Sequence, residues 1–578
     1  MEDLVIFMKE SSFAKLYTKE GKELTASALP HNIYPRPQMV RDSFFCLNGV
    51  WDFGHGKNEC YGKEITVPFP PQSLLSGIGY DIDQKETLFY RRRFSLPAEF
   101  SCDDSRIILH IGAADQCTKI YLNGSLLGEH KGGYDPFSFD ITDSLEKENE
   151  LKLHINDELD KKILPYGKQR KKRGGMWYTP FSGIWQTVWI EAVPKDHIKE
   201  ISIDCNTNNA KITVSVCGND EGAVLIFEEK EYPFVNKSVT ISPKTKRLWS
   251  PEDPHLYPFK IRLGKDEISS YFALRSIYSE VCNGIPRLML NGRPYFLHAV
   301  LDQGYFSDGL STPADPICFE NDIMLMKSMG FNTLRKHIKA EPERFYYDCD
   351  RLGMIVMQDM INNGSYSFIR DTALPTIGMK RLNDTFLHRS SVARKAFIDC
   401  SLEIINRLKN HPSVCYFTIF NEGWGQFCSK AIYRMIKNLV PNHIVDTASG
   451  WFECKESDVV SPHVYFKPFK FKKAEKPVVL SEFGGYSLSV PGHSFNKKKT
   501  YGYKIFRSSE ELEKALSELY ENEIIPAVSK GLCGAVLTQL SDVEDETNGL
   551  VTYDREVNKI SQKAMKHLSK KIYNELES

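Results

Sequence analysis

The chain has 578 residues, 41% hydrophobic and 12% aromatic, with 74 Lys and Arg against 75 Asp and Glu for a net charge of −1. That length exceeds one ordinary core, so two to four domains are expected, and the balanced charge gives no general drive toward nucleic acid or anionic membranes. No apolar run reaches the ~18 residues of a membrane span, and the Met1-Glu2-Asp3-Leu4 start lacks the basic and apolar stretches of a signal peptide.

Residues 1–193 read as short strands with turn punctuation. Arg106–Ile111, Lys119–Leu122 before Asn123-Gly124, and Thr187–Glu191 alternate as half-buried strands do, which predicts an antiparallel sandwich. The basic run Lys168-Gln169-Arg170-Lys171-Lys172-Arg173 within it is expected to be a solvated loop rather than a nucleic-acid patch. Residues 194–278 continue in strands and have the size of a small immunoglobulin-like sandwich.

In residues 279–578 strand-like and helix-like runs alternate. The strands are Tyr295–Leu301, Phe331–His337, Met354–Met360, Ser413–Asn421, Ile444–Ser449, Val459–Tyr465, Pro477–Glu482 and Leu532–Leu540. Amphipathic helices such as Ile317–Met329, Glu341–Leu352, Val392–Lys409 and Ser509–Lys530 fall between them. Eight such strands predict a (β/α)8 TIM barrel, with its chemistry at the C-terminal strand ends.

Two strand ends stand out. The run from Ser413 to Phe420 stops at Asn421-Glu422, and Pro477–Leu480 stops at Ser481-Glu482-Phe483-Gly484-Gly485. A pair of glutamates delivered this way suits hydrolysis of a glycosidic bond, where one carboxyl protonates the leaving oxygen and the other attacks the anomeric carbon. Trp424 offers an apolar wall that would keep Glu422 protonated, as the acid. Glu482, as the attacking group, needs a cation, for which Arg335 is the candidate. Period-two alternation would set Arg335, His337 and Lys339 on one face, toward the glutamates or a sugar carboxylate; alternatively, Lys336 and Lys339 are solvated. His298 and Asp302 on the first strand, Asp359 and Asn362 after the third, Trp451 after the fifth, and His463 and Tyr465 at the sixth are further candidates for bonding or stacking on a sugar. Asp542, Glu544, Asp545 and Glu546 are expected to form a solvated acidic loop rather than a metal site. Fourteen cysteines without CxxC or zinc-site spacing point to reduced thiols, a cytoplasmic location and neither metal nor cofactor.

These motifs resemble glycoside hydrolase family two, which contains β-galactosidases, β-glucuronidases and β-mannosidases. The resemblance rests on Asn421-Glu422, on Ser481–Gly485, on Leu47-Asn48-Gly49-Val50-Trp51-Asp52-Phe53, on Gly183-Ile184-Trp185-Gln186-Thr187-Val188-Trp189 and on Leu290-Asn291-Gly292-Arg293-Pro294. It implies an N-terminal sugar-binding jelly roll, an immunoglobulin-like sandwich and a catalytic barrel. It also implies a retaining double displacement, with Glu482 as nucleophile, Glu422 as acid and base, and Asn421 on the sugar 2-hydroxyl. The chain departs from the family at Ile338-Lys339, where histidine and tyrosine are usual. It also lacks the Asn-x-Lys pair of β-glucuronidases near Glu546–Leu550, and the β-galactosidase tryptophan near Leu537–Asp542. The expected activity is an exo-β-glycosidase on a terminal galactose-configured or uronic sugar, with Lys339 as partner of a uronate. Alternatives are a non-catalytic carbohydrate-binding protein and a transglycosylase. The expected partner is a small-molecule or oligosaccharide glycoside; the oligomeric state is left open, a homo-oligomer included.

Overall fold

The computed structural model describes residues 13–25, 28–79, 85–98, 100, 104–376 and 384–577. The N-terminal strands form two facing antiparallel sheets. One runs Phe45–Cys46, Val188–Pro194, Ser105–Ile111, Phe137–Asp140; the other runs Lys63–Val67, Gly49–Gly56, Thr87–Phe94, Asn149–Asn156, Cys117–Leu122, Ser125–Lys131. Alternate side chains enter the layer between them, where Trp51, Phe53, Leu109, Ile120, Leu153 and Ile190 make one core. Asn123 and Gly124, with φ of 50° and 82°, turn the tight hairpin after Leu122 in the left-handed region that such two-residue turns require.

A second sandwich follows from His197 to Phe272, with a three-stranded and a four-stranded sheet over a separate core of Ile203, Ile212, Leu225, Phe259 and Ile268. It is joined to the first by Arg41. The Arg41 guanidinium reaches both carboxylate oxygens of Asp266 at 2.8 and 2.9 Å and the carbonyl of Ile198 at 2.6 Å.

The barrel strands, numbered here, are β1 (Leu297–Asp302), β2 (Thr333–Lys336), β3 (Ile355–Asp359), β4 (Val414–Asn421), β5 (Ile444–Ser449), β6 (His463–Val464), β7 (Val478–Gly484) and β8 (Leu532–Thr538). They hydrogen-bond in parallel in the order β5-β4-β3-β2-β1-β8-β7-β6. The seam between β5 and β6 is drawn shut by Gly450 N–H donating to Ser461 O at 2.8 Å and by the Ser461 hydroxyl on Asp446. Leu297, Ala299, Leu301, Met357, Tyr416 and Val479 fill the barrel interior, while Val300, Leu334 and Val356 pack outward against the helices.

Two elements differ from the sequence-based expectation, each because of a proline. The sixth strand is only two residues long: Pro462 offers no N–H to the ladder, leaving an isolated bridge at Val460. The long helix from Ser509 is α-helical to Leu519, widens to a π turn over Tyr520–Ile524, and resumes at Ile525–Val528. Pro526 has no N–H for the carbonyl four residues back, and the wider turn accommodates that loss. Among the described residues no helix is long and apolar enough to cross a membrane.

Arg41 and Asp266 are both buried, with side chains 5% and 2% exposed. Removing one partner leaves the other charge uncompensated, so Arg41→Met should destabilise the folded chain by about 3 kcal/mol or more. Urea unfolding checks this, with Arg93→Ala at the exposed Arg93–Glu150 pair as the near-neutral control.

Candidate active site

The mouth of the barrel is organised by Arg335 on β2, which is wholly buried. Its Nε donates to Asp359 on β3 at 3.0 Å. Nη1 donates to Ser481 O at 2.9 Å and Glu482 Oε1 at 3.1 Å on β7. Nη2 donates to Asn421 Oδ1 at 2.9 Å on β4 and Ser449 Oγ at 3.0 Å on β5. All five N–H directions of the guanidinium are therefore used, as a buried arginine requires. Asp359 also takes the ring of His337 at 2.7 Å. Burial, helped by the charge of Lys168, pushes His337 down to about 4, so it is neutral near pH 7.

Glu422 and Glu482 face the same space. The Nδ1 of His463 lies 2.9 Å from Glu422 Oε1 and 3.5 Å from Glu482 Oε2, and one ligand atom from each of the three residues falls within a 4.8 Å cluster. Tyr465 donates its hydroxyl to Glu482 Oε2 at 2.5 Å. Burial alone would raise the Glu482 carboxyl. The fields of His463 and Arg335 more than offset it and hold the group at about 2. Glu422 sits just past β4 with φ of 50°, followed by Gly423 and Gly425 at 75° and 68°. A Cβ on Gly423 would meet the Phe452 ring at 2.4 Å and one on Gly425 the Asn363 carbonyl at 2.5 Å. The sharp turn that presents Glu422 thus needs both glycines. Asn362, Trp424 and His463 bring to the same mouth buried polar atoms that have no hydrogen-bond partner among the described residues, which leaves them open to a ligand or water. Trp451, partly exposed, packs 5.9 Å from His463.

Three expected residues do not join this site. Leu301 pairs with Arg335 across β1 and β2 and shares its inward direction, so His298 and Asp302 point outward. His298 lies between Gly330 O and the Tyr520 hydroxyl, and Asp302 binds Lys336. Lys339 is the third. The period-two reading fails because β2 ends at Lys336 and Ile338 takes the left-handed φ of 52°. The Lys339 ammonium is buried against Gly304 O, Ser311 O and both oxygens of Glu341. It is neither a sugar contact nor solvated.

The sequence reading missed the contribution of the N-terminal sandwich. Its loop from Pro165 to Phe181 lies over the barrel mouth. Tyr166 N–H donates to Asn362 O at 3.1 Å, and Trp177 stacks on Trp424 at 5.1 Å. Lys168 and Gln169 are buried and Arg173 pairs with Glu544 at 3.0 Å, so the two ends of the basic run dock on the barrel, while Lys171 and Lys172 between them are exposed as expected. Asp542, Glu544, Asp545 and Glu546 are likewise buried. Asp542 pairs with Lys559, and the Tyr178 hydroxyl donates to Glu546. The two runs of opposite charge were the available signal, since each neutralises part of the other. A cation at the Glu422–His463–Glu482 cluster would have to compete with the Arg335 guanidinium and the Tyr465 hydroxyl already on Glu482. A second group of suitable spacing, His493–Asp554–Glu556, lies elsewhere, and there Glu556 is paired with Lys22.

The sequence matches three family models: "Glycosyl hydrolases family 2, TIM barrel domain" over residues 287–574, "Glycosyl hydrolase 2 galactose-binding domain-like" over 79–183, and "Glycosyl hydrolases family 2" over 184–275. It is 24% identical over 425 residues to a β-glucuronidase of Streptococcus agalactiae, spanning 68% of each chain. Among solved structures, a β-glucuronidase of an uncultured Clostridium superposes with a TM-score of 0.71 at 18% identity, covering 93% of this chain and 99% of that one. A β-galacturonidase from Eisenbergiella tayi bound to glycerol does so with a TM-score of 0.67 at 18% identity, covering 93% and 98%.

Because Lys339 shares the wholly buried Glu341 with Lys336, Lys339→Met leaves one cation on that carboxylate and should cost roughly 1–3 kcal/mol of stability. It should leave the ratio of activities on charged and neutral glycosides unchanged. Thermal melts and paired assays on an aryl β-uronide and its neutral counterpart check both parts.

Proposed function

The chain belongs to glycosyl hydrolase family 2 and is a glycosidase, and on that premise we propose that it is a retaining exo-β-glycosidase. It removes one terminal β-linked pyranose, a β-galactoside or a β-uronide, by a two-glutamate double displacement. The observation that carries this reading is the approach of Glu422 and Glu482, within a cluster of 4.8 Å around His463. Retention needs carboxyls about 5–5.5 Å apart, whereas inversion needs roughly 6.5–9.5 Å to admit a water.

In this proposal Glu482, ionised through Arg335 and His463, attacks the anomeric carbon with an oxygen lone pair. The bond to the aglycone breaks as Glu422 passes its proton to the departing oxygen. A glycosyl ester of Glu482 results. Water then gives a proton to Glu422 and attacks the same carbon, and the Glu482 carboxylate departs. Two inversions give net retention. Asn421 has its Oδ1 held by Arg335 and Ser449, which leaves Nδ2 as donor to the sugar 2-hydroxyl. Tyr465 steadies the nucleophile, and Trp451 and Asn362 line the sugar's surroundings. The names of the β-glucuronidase and β-galacturonidase neighbours support a uronide among the substrates. A cytoplasmic setting, suited to the free cysteines among the described residues, goes with this reading.

Glu482→Gln should lower kcat/KM on the best aryl β-glycoside by roughly 10³-fold or more. Glu422→Ala should cost roughly 10²–10⁴-fold on poor leaving groups and much less on nitrophenyl ones, with azide restoring turnover and giving a β-glycosyl azide. An α-glycosyl azide from the Glu422 variant, or an inverted sugar released by the wild type, would contradict the assignment.

A further inference from the structure

Four lysines are buried among the described residues: Lys168, Lys336, Lys339 and Lys559. Three of them have a carboxylate on the ammonium: Lys336 with Asp302 and Glu341, Lys339 with Glu341, and Lys559 with Asp542. Lys168 is the exception. It is 5% exposed, and among the described residues no hydrogen bond or ion pair engages its Nζ. The ammonium stands 5.3 Å from the ring centre of Trp424 and 5.7 Å from that of Tyr178. Trp424 is two residues beyond Glu422, so the cation is at the mouth where the two glutamates meet. The charge of Lys168 reaches the Glu546 carboxylate through space, but no carboxylate among the described residues hydrogen-bonds or ion-pairs with the ammonium, and its contacts with the two rings are cation–π only.

The position of Lys168 is fixed by its backbone. Its carbonyl accepts from Tyr178 N–H at 3.0 Å, and Tyr166 is tied to the carbonyls of Asn362 and Gly364. Gly167, at φ of 65°, approaches so closely that a Cβ would lie 3.0 Å from Ile338 O. Gln169 is held by Asp115 and by Phe181 N–H. The electrostatic reach of Lys168 agrees with its location: its charge helps depress His337 and opposes the rise that burial imposes on Glu546.

We propose that Lys168, supplied by the N-terminal sandwich, binds the carboxylate of a terminal uronic acid and so makes a β-uronide the preferred substrate. This deepens the glycosidase reading of Glu422 and Glu482 and rests on it. A carboxylate supplies a charge-assisted hydrogen bond to the ammonium. The hydroxymethyl of a neutral hexose offers the ammonium no charged acceptor and is disfavoured accordingly. Lys168 takes the role that the sequence had pointed to Lys339 to fill.

The test compares aryl β-D-glucuronide and β-D-galacturonide with aryl β-D-glucoside and β-D-galactoside on wild type, Lys168→Met, Lys168→Arg and Glu482→Gln. The wild type should favour one of the uronides. Lys168→Met should lose roughly 10²-fold or more in kcat/KM on that substrate. It should stay within about threefold of wild type on the neutral counterpart, as expected of a group that touches only the carboxylate. Lys168→Arg should recover part of the uronide activity. Equal losses on charged and neutral substrates, or a wild type with no uronide preference, would overturn the proposal. An active Glu482→Gln would instead overturn the glycosidase reading beneath it. If Lys168→Met does not fold, inhibition of the wild type decides the matter: the free uronic acid should bind at least about tenfold more tightly than the matching neutral sugar, and equal binding would sink the assignment.

Discussion

One buried guanidinium holds the site together. Arg335 is removed from water at the centre of the barrel mouth, and its charge is tolerated only because every N–H has an acceptor. Those acceptors come from β3, β4, β5 and β7, through Asp359, Asn421, Ser449, Ser481 and Glu482. The barrel's closure and the site's chemistry therefore share a cause. The strands must hold a register that brings these groups to one cation. The same cation helps keep Glu482 ionised despite burial and orients Asn421. A change that misplaced any of these strands would leave a buried charge uncompensated and disturb the proposed nucleophile at once.

The second constraint is that the barrel does not complete its own pocket. The loop from Pro165 to Phe181, on the N-terminal sandwich, covers the mouth with Trp177 and Lys168 and is pinned by Tyr166 to the segment after β3. Arg173 meets Glu544, and Tyr178 meets Glu546. Opposite charges on two domains thus neutralise each other, and the near-zero net charge of the chain conceals a strongly charged domain junction. In the proposed enzyme the barrel supplies bond cleavage and the sandwich loop supplies selection of the sugar. This division follows the general pattern in which a rigid scaffold carries variable recognition loops.

Much of this was legible from residues alone. The alternation of short apolar strands and amphipathic helices marked the barrel, and the abrupt strand ends marked Glu422 and Glu482. Arg335 could be assigned because an ionised buried glutamate demands a cation. What failed to appear has physical reasons. Strand periodicity carries side-chain direction only while the strand lasts, so Lys339 was misplaced once Ile338 turned left-handed. His298 and Asp302 lay on the correct strand but on its outer face, which a barrel strand buried on both faces does not distinguish by composition. Pro462 and Pro526 altered a strand and a helix that periodicity alone drew through. The buried start of the basic run at Lys168 and Gln169, its paired end at Arg173, and the buried acidic run 542–546 each read as solvated, because a charge's burial depends on a partner distant in sequence.

The central claim, that Glu482 forms a covalent bond to the sugar, is tested most directly by trapping. Protein treated with a 2-deoxy-2-fluoro β-glycoside carrying an activated leaving group, in uronide and galactoside forms, would be digested and its peptides weighed by mass spectrometry. The account predicts one fluoroglycosyl mass per chain, on a peptide containing Val478–Gly484 and assigned by fragmentation to Glu482. A label on another residue, or rapid turnover of a reactive substrate with inverted product and no adduct, would contradict it.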